Sequence, residues 1–181
     1  MLLWFVAAFI WGAAEAILFF IVADVLLTFM VLRHGPKPTL LAACCATVGA
    51  LVGGAALYIW SGNDAATVRD MLDLIPATSP RMIDTASSDM AAAPATTMLS
   101  GAFSGVPYKL FAAAAPHAGV ALMPFLAWTV PARLARYMLL IFVFAAIAAG
   151  AGLIMSRRRQ MQLALGGWVL FYALFWSLMP N

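Results

Sequence analysis

Charge is what this chain has least of. Only 9% of its 181 residues are Asp, Glu, Lys or Arg, against roughly 25% in an ordinary soluble domain. So few charges cannot clothe a water-facing surface. With 65% hydrophobic residues and a mean hydropathy of +0.99, the expected class is an all-α integral membrane protein with a single membrane domain over 1–181. Cysteine is nearly absent too. Cys44 and Cys45 are adjacent, share no metal-ligand spacing with His34 or His117, and read as small apolar thiols, so neither a metal nor a cofactor is expected. The net charge of +3 is too small, and its carriers too scattered, to suggest a nucleic-acid partner. The first apolar run lacks a basic leader region and contains Glu15 and Asp24, so it reads as mature protein rather than a cleaved signal.

What is there is a set of long apolar runs. Residues 1–32 would extend about 48 Å as one helix, more than an upright span across about 30 Å of hydrocarbon needs. Glu15 and Asp24 lie nine residues apart, on opposite faces of an unbroken helix, whereas a break between them would let both face one polar cavity. No proline or glycine marks such a break between Ala13 and Met30, so a first re-entrant hairpin and a tilted span both stay open. Arg33 to Pro38 make a basic turn. Residues 39–60 make a span in which Gly49, Gly53 and Gly54 permit close helix contact. Residues 61–98, with Asp64, Asp70, Asp73, Asp84 and Asp89, read as an external acidic loop carrying a short amphipathic helix over Ala66–Ile75. Two further spans, 137–155 and 161–179, flank the basic turn Arg157-Arg158-Arg159.

Residues 100–131 are broken by Pro107, Pro116, Pro124 and Pro131. They predict a second re-entrant hairpin with its tip at Ala115–Gly119, where Pro116 ends the helix and Gly119 allows a sharp turn. Irregular backbone survives at membrane depth only beside protein or a wet cavity. Charge supports this folding. Placing Arg33, Lys37 and Arg157–Arg159 in the cytoplasm and the acidic loop outside requires an even number of crossings between residues 61 and 136. If residues 1–32 fold as a hairpin from the cytoplasm, the N-terminus is cytoplasmic and the C-terminus periplasmic. The expected fold is two inverted units, each a re-entrant hairpin plus a transmembrane helix, with an additional C-terminal span.

The ionisable groups at depth are the candidate site. Glu15 and Asp24 could cycle between protonation states or fix packing as ion pairs with Lys109 or Arg133. Lys109, two residues after Pro107 and next to Tyr108, is placed to attract a phosphate or to snorkel outward. Arg133 and Arg136, three apart on one helical face, could grip a lipid phosphate or anchor to headgroups. His117 could relay protons or merely cap the tip. The leading expectation is a lipid transporter, with possible proton coupling through the carboxylates and a homo-oligomer left open. A proton-coupled cation or drug exchanger is one alternative and a packing subunit another. An intramembrane serine hydrolase built on Ser104 and His117 is a third, although Gly101–Gly105 does not fit the G-x-S-x-G elbow.

Over most of residues 10–140 the chain resembles the DedA/VTT superfamily (VTT domain), particularly its small YqaA-like branch. The likeness rests on Glu15 and Asp24, on Thr47-Val48-Gly49 with Gly53, Gly54, Tyr58 and Gly62, and on Pro107-Tyr108-Lys109, Ala112–Ala115, Phe125, Arg133 and Arg136-Tyr137. The chain departs from that pattern at Phe20–Asp24, which lacks a proline, at the missing arginine before Pro107, and at Pro116 where glycine is usual. The resemblance implies two re-entrant hairpins around a cavity. It also implies movement of a phosphate-headgroup lipid, undecaprenyl phosphate or a phospholipid, as a flippase or scramblase of the bacterial inner membrane, and no enzymatic activity.

Overall fold

The computed structural model describes residues 1–17, 20–75 and 78–178, which are helical and contain no strand. In order they form α1 (Leu2–Ile17), α2 (Asp24–His34), α3 (Pro36–Asn63), α4 (Ala65–Asp73), α5 (Pro80–Ala92), α6 (Pro94–Ser104), α7 (Tyr108–Ala114), α8 (Leu122–Ala151) and α9 (Arg157–Leu178). Three of them, α3, α8 and α9, are long and apolar enough to cross a membrane.

The first run is broken, and side chains make the break. α1 rises beside α3 in the same direction, Phe9 facing Gly49 and Ala13 facing Gly53. A Cβ on either glycine would overlap the opposing carbonyl, so only glycine lets these backbones meet. α2 then returns, bringing His34 back to Trp4 with ring centroids 5.5 Å apart. Between the two helices the backbone finds its partners elsewhere. Trp11 Nε1 donates to the Ile21 carbonyl at 2.9 Å, Val22 N–H donates to the Tyr172 hydroxyl at 2.9 Å, and Ala23 N–H donates to Glu15 Oε2 at 2.9 Å. These bonds replace the intrahelical ones that a proline or glycine break would have forfeited.

Residues 61–98, expected as a loop with one helix, contain α4, α5 and the start of α6. α4 matches the expected amphipathic helix to within two residues: Asp64 caps it by accepting Thr67 N–H at 3.1 Å, and the Thr67 side chain, together with that backbone bond, holds the Asp64 carboxyl below its usual range. Ser79-Pro80 and Ala93-Pro94 each put proline in a first turn, where its missing donor costs nothing. Val68 and Leu72 of α4 and Met90 of α5 bury themselves with Leu57, Leu110 and Phe125.

The second broken run, residues 100–131, contains two turns rather than one. The first turn is Gly105-Val106-Pro107, between α6 and α7: Gly105 takes φ 85° and Pro107 is extended. The anticipated tip, Ala115–Gly119, is indeed a turn, with Gly119 at φ 73°, but it sits on the C-terminal end of α3. There the Tyr58 hydroxyl donates to the Val120 carbonyl at 2.9 Å. The return arm and the span placed at 137–155 are one 30-residue helix, α8. Pro124 lies in its first turn and is free of cost; Pro131 gives up one interior hydrogen bond, about 3 kcal/mol that packing offsets. α8 runs opposite to α3: Phe125 stacks on Tyr58 near one end, while Tyr137 and Ile141 pack with Ala42, Ala43 and Ala46 further down. α9 lies against α2, its Arg157 donating to the Leu32 carbonyl at 3.0 Å, so both basic turns share one end of the molecule.

Candidate functional site: buried ion pairs beside an apolar cavity

Two arginines three residues apart on α8 meet two carboxylates from the broken first run. Arg133 Nη1 donates to Glu15 Oε1 at 2.6 Å. Arg136 donates to Asp24 Oδ2 through Nη2 at 2.5 Å and Nε at 2.8 Å. The break between α1 and α2 is what permits this: it turns two carboxylates that an unbroken helix would splay apart onto the same arginine face. Glu15, Asp24 and Arg133 are 8%, 4% and 5% exposed, so these are desolvated pairs whose single members cannot be removed cheaply.

Each charge is held by further contacts. Glu15 spends its second oxygen on Ala23 N–H, and Arg136 Nη1 reaches the Ala102 carbonyl at 3.2 Å, tying α8 to α6. The Arg133 guanidinium lies over the Tyr108 ring, 4.5 Å from its centroid, and Nη1 reaches the Tyr137 hydroxyl at 3.4 Å. Tyr108 is fixed in turn by Thr129 at 3.0 Å and by a stack on Phe125, and its hydroxyl fills the space a side chain at Gly54 would need. Lys109 is buried at the same place, within electrostatic reach of Glu15 and Arg133. Hydrogen-bonding capacity is left over: Asp24 Oδ1 and Arg133 Nε and Nη2 are buried without a partner among the described residues.

These groups open onto a cavity of about 750 Å³. Its polar end is Glu15, Lys109, Arg133 and Arg136. Its apolar wall includes Leu140, Phe144 and Ile147 of α8 and Trp168, Phe171 and Phe175 of α9. A chamber of this kind fits an amphiphile: a small charged head and a long apolar body.

The structure thus brings together five of the residues picked from sequence, Glu15, Asp24, Lys109, Arg133 and Arg136, with Pro107 and Tyr108 in the wall. His117 is elsewhere. Its Nε2 lies 3.1 Å from Ser61 Oγ and 3.0 Å from the Ser61 carbonyl at the end of α3, beside Pro116 and Gly119. Ser104 is exposed at the end of α6 and lines a different groove, so the Ser104–His117 pairing is not assembled. Gly49 and Gly53 serve the α1–α3 contact. Sequence reasoning missed Tyr172 and the aromatic face of α9. Trp168, Phe171, Tyr172, Phe175 and Trp176 recur at helical spacing, with one hydroxyl among them, and that pattern was the available signal. Among the described residues no group of three or more His, Cys, Asp or Glu could hold a metal. No family model matches the chain, and neither a curated protein nor a solved structure matches it.

Proposed function

We propose that the protein is a membrane transporter of the DedA kind, a flippase or scramblase that carries a phosphate-headgroup lipid such as undecaprenyl phosphate or a phospholipid across a bacterial inner membrane. The observation that carries this reading is the pairing of Arg133 and Arg136 with buried carboxylates at the polar end of an otherwise apolar cavity. Arg136 is the fifteenth of the thirty residues of α8, about 21 Å from either end, which for a spanning helix is mid-bilayer. Ionisable side chains at that depth are costly and are retained for function.

In this reading α1–α2 and α6–α7 are two re-entrant hairpins, each followed by a left-handed glycine, Gly35 or Gly119, and then by a long helix, α3 or α8, of opposite direction. The basic turns mark the cytoplasmic end, putting the N-terminus inside and the C-terminus outside. A phosphate entering the cavity competes with Glu15 and Asp24 for the forked donors of the two arginines. A carboxylate that gives up its arginine in a dry site needs a proton for charge balance, which links lipid passage to proton movement. The lipid tail stays along the α8–α9 wall.

Cation or drug exchange through the same carboxylates is the nearest rival. Charge count argues against it: Arg133, Arg136 and Lys109 outnumber Glu15 and Asp24, a balance that favours an anionic head. Native mass spectrometry of the purified protein tests the choice. Retained phosphate-bearing lipid, lost in Arg136→Gln, supports the proposal; retention unchanged in that variant, or no lipid at all, refutes it.

A further inference from the structure

A second cavity, of about 220 Å³, lies between α5 and α6, and its walls mix apolar with polar side chains in a more polar balance than those of the first. Arg81, Thr85 and Asp89 recur every four residues along α5, and Thr97, Ser100 and Ser104 recur at three and four along α6. Each set therefore forms a single stripe, and the two stripes face each other across the groove. One cation, one anion and four hydroxyls, set among Met82, Ala86, Val106 and Phe111, offer water hydrogen-bonding partners along the groove.

This groove and the ion-pair cavity have three wall residues in common: Gly101, Val106 and Phe111. The Phe111 ring presses on the α6 backbone at Gly101, so closely that a Cβ at 101 would overlap ring atoms Cε2 and Cζ. Glycine is therefore what allows the ring to seat there. Gly101 and Phe111 are both buried, and the larger cavity that they help to line is lined also by Arg133 and Lys109. The groove and the ion-pair cavity thus meet at the Phe111 ring, with Val106 beside it.

We infer that the α5–α6 groove is the aqueous entrance to the ion-pair cavity and that Phe111, seated on Gly101, is its gate. Rotation of one side chain joins the two cavities and admits water, and with it protons, to Glu15, Lys109 and Arg133 from the end of the molecule that carries the acidic helices. The lipid body meanwhile has its own sideways opening along α8 and α9. The inference rests on the transport reading for its purpose, but its geometry can be tested without moving any lipid.

The test places a cysteine at Ala132, which lines the larger cavity and not the smaller, in a chain carrying Cys44→Ala and Cys45→Ala. Modification by a membrane-impermeant charged methanethiosulfonate is timed in sealed liposomes, with reagent on the outside of right-side-out protein. Labelling is expected to be slow with Phe111 in place and at least tenfold faster in Phe111→Ala, while adding Ser104→Trp, which fills the groove from an exposed position, restores the slow rate. An unchanged rate in a Phe111→Ala protein that elutes as wild type overturns the inference, as does fast labelling that Ser104→Trp does not slow. Should Phe111→Ala fail to fold, Ser104→Trp alone decides. It is expected to cut the residual labelling several-fold, and no change overturns the gate. Labelling speed and lipid movement are read separately, so failure of one reading leaves the other measurable.

Discussion

Removing Arg133 while keeping Glu15 should be far more damaging than removing both. In Arg133→Met the Glu15 carboxylate loses its ion-pair partner, keeps its bond from Ala23 N–H, and stays in a site where it is 8% exposed. Stranding one member of a buried pair costs about 3–5 kcal/mol. For a chain of this length each kcal/mol lowers Tm by roughly 2–4 °C, so the variant should melt roughly 6–20 °C below wild type. Adding Glu15→Gln removes the stranded charge while the amide oxygen still accepts from Ala23, which keeps the α1–α2 break capped. The double variant should therefore recover most of the loss. Unfolding in detergent followed by tryptophan fluorescence supplies the measurement, the chain having six tryptophans. A double variant as unstable as Arg133→Met, or a single variant that melts like wild type, would refute the argument that the pair is desolvated and mutually dependent.

Tyr172→Phe leaves Val22 N–H without its acceptor, a loss of about 1–3 kcal/mol that should appear as faster hydrogen exchange at Val22 and Ala23 and a lower Tm. Gly49→Ala drives a methyl into the Phe9 carbonyl and should destabilise clearly. Gly150→Ala, where nothing lies within 4 Å, should be neutral or stabilising by up to about 1 kcal/mol; thermal unfolding of the two compares them. The Arg69–Asp84 pair, 2.8 Å long but with both side chains largely exposed, should contribute under about 1 kcal/mol, so Asp84→Asn should leave Tm almost unmoved and the small effect should fade in salt.

Much of this was legible in the sequence because scarcity carries information. In so apolar a chain each charged residue at depth needs a partner, and Glu15, Asp24, Lys109, Arg133 and Arg136 were identifiable on that ground alone. That Arg133 and Arg136 share a face followed from their spacing. What could not be read were the partners and the turns. The break before Asp24 has no local marker because its backbone is satisfied by Trp11, Glu15 and Tyr172, the last 150 residues away. Pro116 and Gly119, two strong punctuators close together, mask the signal of the turn at Gly105–Pro107. Proline counts misled at α8 for the opposite reason: Pro124 falls where a helix has donors to spare, and α8 accommodates Pro131. The acidic segment seemed a loop because its charges were weighed more heavily than the helix starts at Ser79-Pro80 and Ala93-Pro94.

The most direct test of the central claim is transbilayer movement of a fluorescent phosphate-headgroup lipid in liposomes containing the purified protein, read by the fraction accessible to an external quencher over time. The account predicts movement well above that in protein-free liposomes, lost in Arg136→Gln and retained in Asp84→Asn. Movement no faster than in empty liposomes, or equally fast in Arg136→Gln, would contradict it.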